Sequence, residues 1–137
     1  MPAGVLEGGL AQLYAQALVA ICRADDHVVR EVGARLQERI ETRAGVAVPL
    51  EDLLLAEPLE PASLAGTVGT TGPFRGAGVH AAELARLIVV DAVGVVRAKG
   101  HVTEREAHLI IRFATALGVS ADELRGMTDQ LTPFLTR

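Results

Sequence analysis

The densest group of chemically capable side chains is Asp25-Asp26-His27, with Glu31 one helical turn beyond. Carboxylates at this spacing can converge on a hard divalent cation, which wants several oxygen ligands. They also suit a plainer duty, because an Asp at a helix junction accepts hydrogen bonds from the free N–H groups of the next helix. The D-x-D-x-D-G spacing of a calcium loop is missing. A second polar group, Lys99-Gly100-His101, is followed by carboxylates only at Glu104 and Glu106. If the two groups meet in space, His27 and His101 could act as a ligand pair or a pH-responsive pair. Otherwise each His bonds a backbone group at its own helix junction. His108 falls between Glu104 and Arg112 on a polar face, and His80 carries no pattern. No His-x-x-x-His or Cys-x-x-Cys spacing exists, which disfavours zinc.

Asp91 stands apart. It lies four residues after Leu87 and three after Ile88, on the apolar face of a helical pattern. A buried carboxylate needs a partner or it protonates. Arg23, Arg97 or backbone freed near Gly94 could supply one, and a bound ion is the other reading. The lone Cys22 falls inside an apolar pattern and reads as a small core residue. No nucleophile–base grouping emerges, so the expectation is a protein that is not an enzyme.

The elements that must position these residues are helices. Leu10, Leu13, Tyr14, Ala17, Leu18 and Ile21 repeat at helical spacing, as do Val29, Val32, Leu36 and Ile40. Leu84, Leu87, Ile88, Ala92 and Val95 mark a helix apolar nearly all round, expected to be the central one. Pro49 can open a short helix over Leu50 to Ala56. Thr103 to Glu106 and Ser120 to Glu123 are capping boxes, and Gly118 sits where a C-terminal cap belongs.

Composition agrees. Half of the 137 residues are hydrophobic, with 22 Ala and only one Tyr and three Phe, which favours helix over sheet. The net charge of -4 and the lack of a basic run argue against a nucleic-acid surface. The most apolar run, Leu84 to Val96, is interrupted by Arg86, Asp91 and Gly94 and is too short to span a bilayer. With no basic-then-apolar leader pattern, a cytoplasmic location is expected.

The chain also repeats itself. Shifted by 74 residues, Arg23-Ala24-Asp25-Asp26-His27-Val28 falls on Arg97-Ala98-Lys99-Gly100-His101-Val102. The register carries Leu10 onto Leu84, Leu13 onto Leu87, Ile21 onto Val95 and Leu36 onto Ile110, and Gly45-Val46 then matches Gly118-Val119. This predicts one all-α domain over 1–137, a pseudo-twofold helical bundle of two three-helix repeats. Repeat 1 covers about 10–56 and repeat 2 about 81–130, and neither could bury its apolar face alone. A Gly/Pro-rich crossover loop is expected over 57–80. It is either a flexible connector or a lid or docking loop built around Phe74 and Arg75. No Gly-Lys-Ser/Thr follows Gly72, so it is no Walker A loop.

The two turns resemble those of the tellurite-resistance TerB-like family, in which each half has a helix ending in an A-D-G-x-hydrophobic turn and a Ser/Thr-x-x-Glu start to the next helix. The second half carries the likeness in Ala98-Lys99-Gly100-His101-Val102-Thr103-Glu104-Arg105-Glu106 and in Ala116-Leu117-Gly118-Val119-Ser120-Ala121-Asp122-Glu123-Leu124. The first half offers Ala24-Asp25-Asp26-His27-Val28, then Glu31. The likeness spans roughly residues 10–127 apart from the loop. It implies a helical pseudo-twofold fold, metal binding by acidic turn residues and a place in stress-response complexes. Asp25, with Asp26, Glu31 and Asp91, is the set that could inherit such a site. Lys99 stands where the family has Asp, and an ammonium there is expected to oppose a cation. The expected function is a non-catalytic module that binds a divalent cation or a partner protein through its acidic turn. The alternative is a purely structural interaction or self-associating domain, a homo-oligomer without a metal site.

Overall fold

A computed structural model describes residues 8–24, 30–45, 59–68 and 78–135. These form seven α-helices: α1 (Gly8–Cys22), α2 (Arg30–Ala44), α3 (Pro61–Val68), α4 (Gly78–Val96), α5 (Glu104–Ala116), α6 (Ala121–Met127) and α7 (Thr132–Leu135). A 3-10 turn, Arg97–Lys99, follows α4 directly. There is no strand among the described residues. None of the described helices is long and apolar enough to cross a membrane.

The centre of the bundle is a pair of helices rather than one. From Leu13 to Cys22 every side chain of α1 is buried except the half-buried Gln16. The reason is plain in the sequence, since no charged residue occurs between Gly8 and Cys22. α4, expected to be the central helix, buries Leu84, Ile88, Ala92 and Val95 against α1 but exposes Arg86, Val90 and Gly94. α2 flanks this pair with a single apolar stripe, Val32, Leu36 and Ile40. Each such fully buried aliphatic side chain contributes about 1.5–3 kcal/mol. α5 covers the other flank through Ala107, Ile110, Phe113 and Ala114.

Helix directions follow from cross-links. Tyr14 of α1 bonds Asp91 of α4, and Cys22, further along α1, feels the charges of Lys99 and Glu106 just past the end of α4. α1 and α4 therefore run parallel, with their C-terminal ends at the same end of the bundle. α2 starts at that end and brings Arg43 back to Asp91, so it runs antiparallel to both. The 3-10 turn packs against α2.

Capping residues set where the C-terminal helices begin and end. The Thr103 hydroxyl accepts from the Glu106 N–H while the Glu106 carboxylate accepts from the Thr103 N–H, and Ser120 and Glu123 do the same for α6. α5 ends in a Schellman turn, with the Val119 N–H bonded to the Ala114 carbonyl and the Gly118 N–H to the Thr115 carbonyl. Gly118 adopts φ 91° there, and its repeat counterpart Gly45 ends α2 at φ 76°.

The stretch expected to be a crossover loop contains a helix. Pro61 opens α3 at the first helical position, where its missing N–H costs nothing, and Leu64 is fully buried against the core. α4 likewise begins at Gly78, inside the span read as loop. Pro61 and Gly78 stand at the starts of these helices, and Gly66 lies inside α3. The short helix expected over Leu50 to Ala56, and the loop residues Phe74 and Arg75, lie outside the described residues.

The left-handed backbone at Gly118 gives a direct test. A Cβ there would meet nothing within 4 Å, so Gly118→Ala changes only backbone strain. It should lower stability by about 1 kcal/mol in urea unfolding.

Candidate functional site

Asp91 is 3 % exposed, and the bundle meets its carboxylate with three donors. The Tyr14 hydroxyl donates to Oδ2 at 2.6 Å. Arg43 donates from Nε to Oδ2 at 2.8 Å and from Nη2 to Oδ1 at 3.2 Å. Arg39, one turn earlier on α2, brings Nη1 to 3.9 Å from Oδ1. The pairing differs from the expected partners Arg23 and Arg97 for a geometric reason. At about 1.5 Å of rise per residue, Arg97 lies roughly 9 Å beyond Asp91 along the helix axis. α2, running back past the middle of α4, delivers its last turns to the carboxylate instead.

Electrostatics follows. Burial first, then the bond to Asp91 and the charge of that carboxylate, push the Tyr14 phenol well above the usual tyrosine range. The hydrogen bond it donates to Asp91 holds the Arg43 guanidinium further still from deprotonation. One carboxylate thus faces two guanidinium groups, and Arg39 Nε is buried without a hydrogen-bond partner. The cluster is a tie between α1, α2 and α4 with cation to spare.

That arrangement divides the expected metal set. Both Asp91 oxygens accept from protein donors, and a cation placed there would face Arg43 and Arg39. Glu31 is exposed in the first turn of α2, roughly 18 Å of helix axis away from Arg43. Asp91 and Glu31 therefore do not converge. Asp25, Asp26 and His27 lie outside the described residues. Among the described residues no three His, Cys, Asp or Glu side chains group so as to hold a metal ion.

The second turn is closed by its own ion pair. Lys99 Nζ lies 2.6 Å from both carboxylate oxygens of Glu106 and 3.3 Å from the Val96 carbonyl. Gly100, at φ 110°, turns the chain out of the 3-10 helix, with its N–H bonded to the Arg97 carbonyl. Glu106 is 3 % exposed and serves twice, capping α5 and neutralising Lys99. Lys99 is consequently not a bare ammonium opposing a cation, because Glu106 absorbs its charge. His101 is exposed beside this turn, with His27, its repeat counterpart, outside the described residues. His108 is also exposed, its ring edge-on to Phe134 of α7 at 6.1 Å. Cys22 is 1 % exposed, and burial, reinforced by Glu106 and opposed by Lys99, pushes its thiol up to about 12.

Sequence reading missed Tyr14, Arg39 and Arg43 as the partners of Asp91. A signal existed for the arginines. Arg39 lies three residues after Leu36, and Arg43 three after Ile40, so both border the apolar stripe of α2. For Tyr14 the apolar spacing concealed the one hydroxyl in the stripe.

Three measurements follow. Asp91→Asn strands two guanidinium groups and should cost about 3 kcal/mol, equally with and without added divalent metal, in thermal unfolding. Lys99→Asp, which sets a second carboxylate beside Glu106, should cost about as much and create no cation affinity in calorimetry. The Cys22 thiol gives a pH signature. Unfolded, it loses its proton near the ordinary value of 9.0, whereas folded it holds the proton to about 12. Between these values the unfolded state binds fewer protons, so stability falls as pH rises. Urea unfolding from pH 8 to 11 should show a shallower decline in Cys22→Ala than in the wild type, with the remaining fall above about 10 belonging to Tyr14.

No protein-family model, curated protein or solved structure matches the chain, so its function must be read from its own residues.

Proposed function

We propose that the chain is a non-catalytic, TerB-like helical module that binds through the acidic turn between α1 and α2. Asp25 and Asp26, with Glu31 behind them, offer carboxylates to a hard cation or to a basic surface of a partner protein. The place of such a module in a stress response follows from the resemblance of its two turns to that family.

The observation that supports this reading most directly is the internal neutralisation of the second turn. Lys99 is bonded to Glu106 and to the Val96 carbonyl, so its charge is met within the fold. Glu31, at the start of α2, faces solvent. Asp91, by contrast, is tied to Arg43 and Tyr14 and belongs to the framework rather than to this site.

Calorimetry with calcium, magnesium, manganese and zinc tests the cation form. Heat with the oxygen-seeking ions, lost in Asp25→Asn with Asp26→Asn, is the supporting result. If all four are silent, fluorescence anisotropy with an Arg/Lys-rich peptide tests the partner form. Binding that weakens about tenfold in the same double variant supports it, and equal binding to both proteins overturns the reading.

A further inference from the structure

Leu87, Val90 and Gly94 form one stripe along α4, at i, i+3 and i+7. The stripe borders Asp91, because Leu87 precedes it by four residues and Gly94 follows it by three. It therefore runs along the solvent side of the junction between α4 and α2. Val90 is 42 % exposed, the one large hydrophobic so exposed among the described residues, and Leu87 is half-buried.

Gly94 is the unusual member. It lies inside a helix and is not among the glycines with positive φ, and a Cβ on it would meet nothing within 4 Å. No turn and no close contact among the described residues requires glycine, which weakens a helix relative to alanine. What glycine supplies at such a place is room for another backbone to approach closely.

The rim of the stripe is cationic. Among the described residues Arg39 has a long contact to Asp91, a buried Nε without a hydrogen-bond partner and a side chain 32 % exposed. Arg35, one turn earlier on the same edge of α2, is exposed. An apolar strip, an open glycine and a row of guanidinium groups together define what can cover them.

We infer that this α2–α4 face docks an acidic amphipathic helix of a partner protein. Apolar side chains of that helix cover Leu87 and Val90, its backbone passes close over Gly94, and its carboxylates meet Arg39 and Arg35. A symmetric pairing with a second copy brings the arginine rims together and is disfavoured by like charge. A nucleic acid offers no aliphatic side chains to cover Leu87 and Val90, and one exposed and one half-buried aliphatic residue are too little to insert into a bilayer. The residues of this face are other than Asp25, Asp26 and Glu31 and opposite in sign, so success or failure at one leaves the other standing.

The full chain tests this by fluorescence anisotropy. The probe is a labelled synthetic helix with Leu at i, i+3 and i+7 flanked by Glu, and the control carries Lys in place of Glu. Vesicles containing phosphatidylserine form a third arm. The expected result is binding of the Glu peptide alone, about tenfold weaker in Arg39→Gln and in the surface variant Arg35→Gln. Gly94→Leu should raise the thermal midpoint of the free protein and yet weaken binding by tenfold or more, since a good helix former now fills the approach. Equal binding of both peptides, preference for vesicles, no binding, or unchanged affinity in Gly94→Leu would overturn the proposal.

Discussion

A carboxylate buried at the meeting point of three helices governs this fold. Taking Asp91 out of water carries a desolvation penalty of several kcal/mol unless opposite charge and hydrogen bonds replace its hydration. Arg43 and Tyr14 provide both, from α2 and α1, and Arg39 adds a second positive charge at longer range. The apolar stripes alone would let the helices rotate or slide, since dispersion and burial are non-directional. A carboxylate that accepts from a phenol on one side and a guanidinium on the other has few satisfactory arrangements. Asp91 thereby specifies the register of α1, α2 and α4.

A second tie, smaller in reach, acts at the end of the bundle. Glu106 caps α5 and neutralises Lys99, so the 3-10 turn and the start of α5 are held as one unit. Each buried acid among the described residues, Asp91 and Glu106, is bonded to a cation, and the buried thiol and phenol are both pushed away from neutral titration.

The charges that these ties leave at the surface of α2 differ from edge to edge. Glu31 is exposed in the first turn of α2, while Arg35 and Arg39 lie along one edge of that helix. The surplus guanidinium at Asp91 links framework to surface. The one buried carboxylate of this cluster faces two guanidinium groups, and the second, Arg39, is partly exposed.

What the sequence determined by itself was local. Helical spacing, two capping boxes and the left-handed glycine after α5 are all interactions within a few residues, and each was legible in advance. So was the burial of Asp91, because periodicity places a residue on a face. The crossover helix α3 was missed because Pro61 and Gly66 read as breakers, although Pro61 opens the helix and Leu64 anchors it. The partners of Asp91 and Lys99 were not legible for a deeper reason. Which arginine reaches a buried carboxylate depends on helix direction and axial register, and these are decided only when the elements pack together. Arg23 and Arg97 are neighbours of the right chemistry in the wrong place. The antiparallel return of α2 selects Arg43 and leaves Arg39 over. Tertiary structure thus turned an isolated acid in an apolar helix into a three-helix tie with an unspent positive charge at its edge.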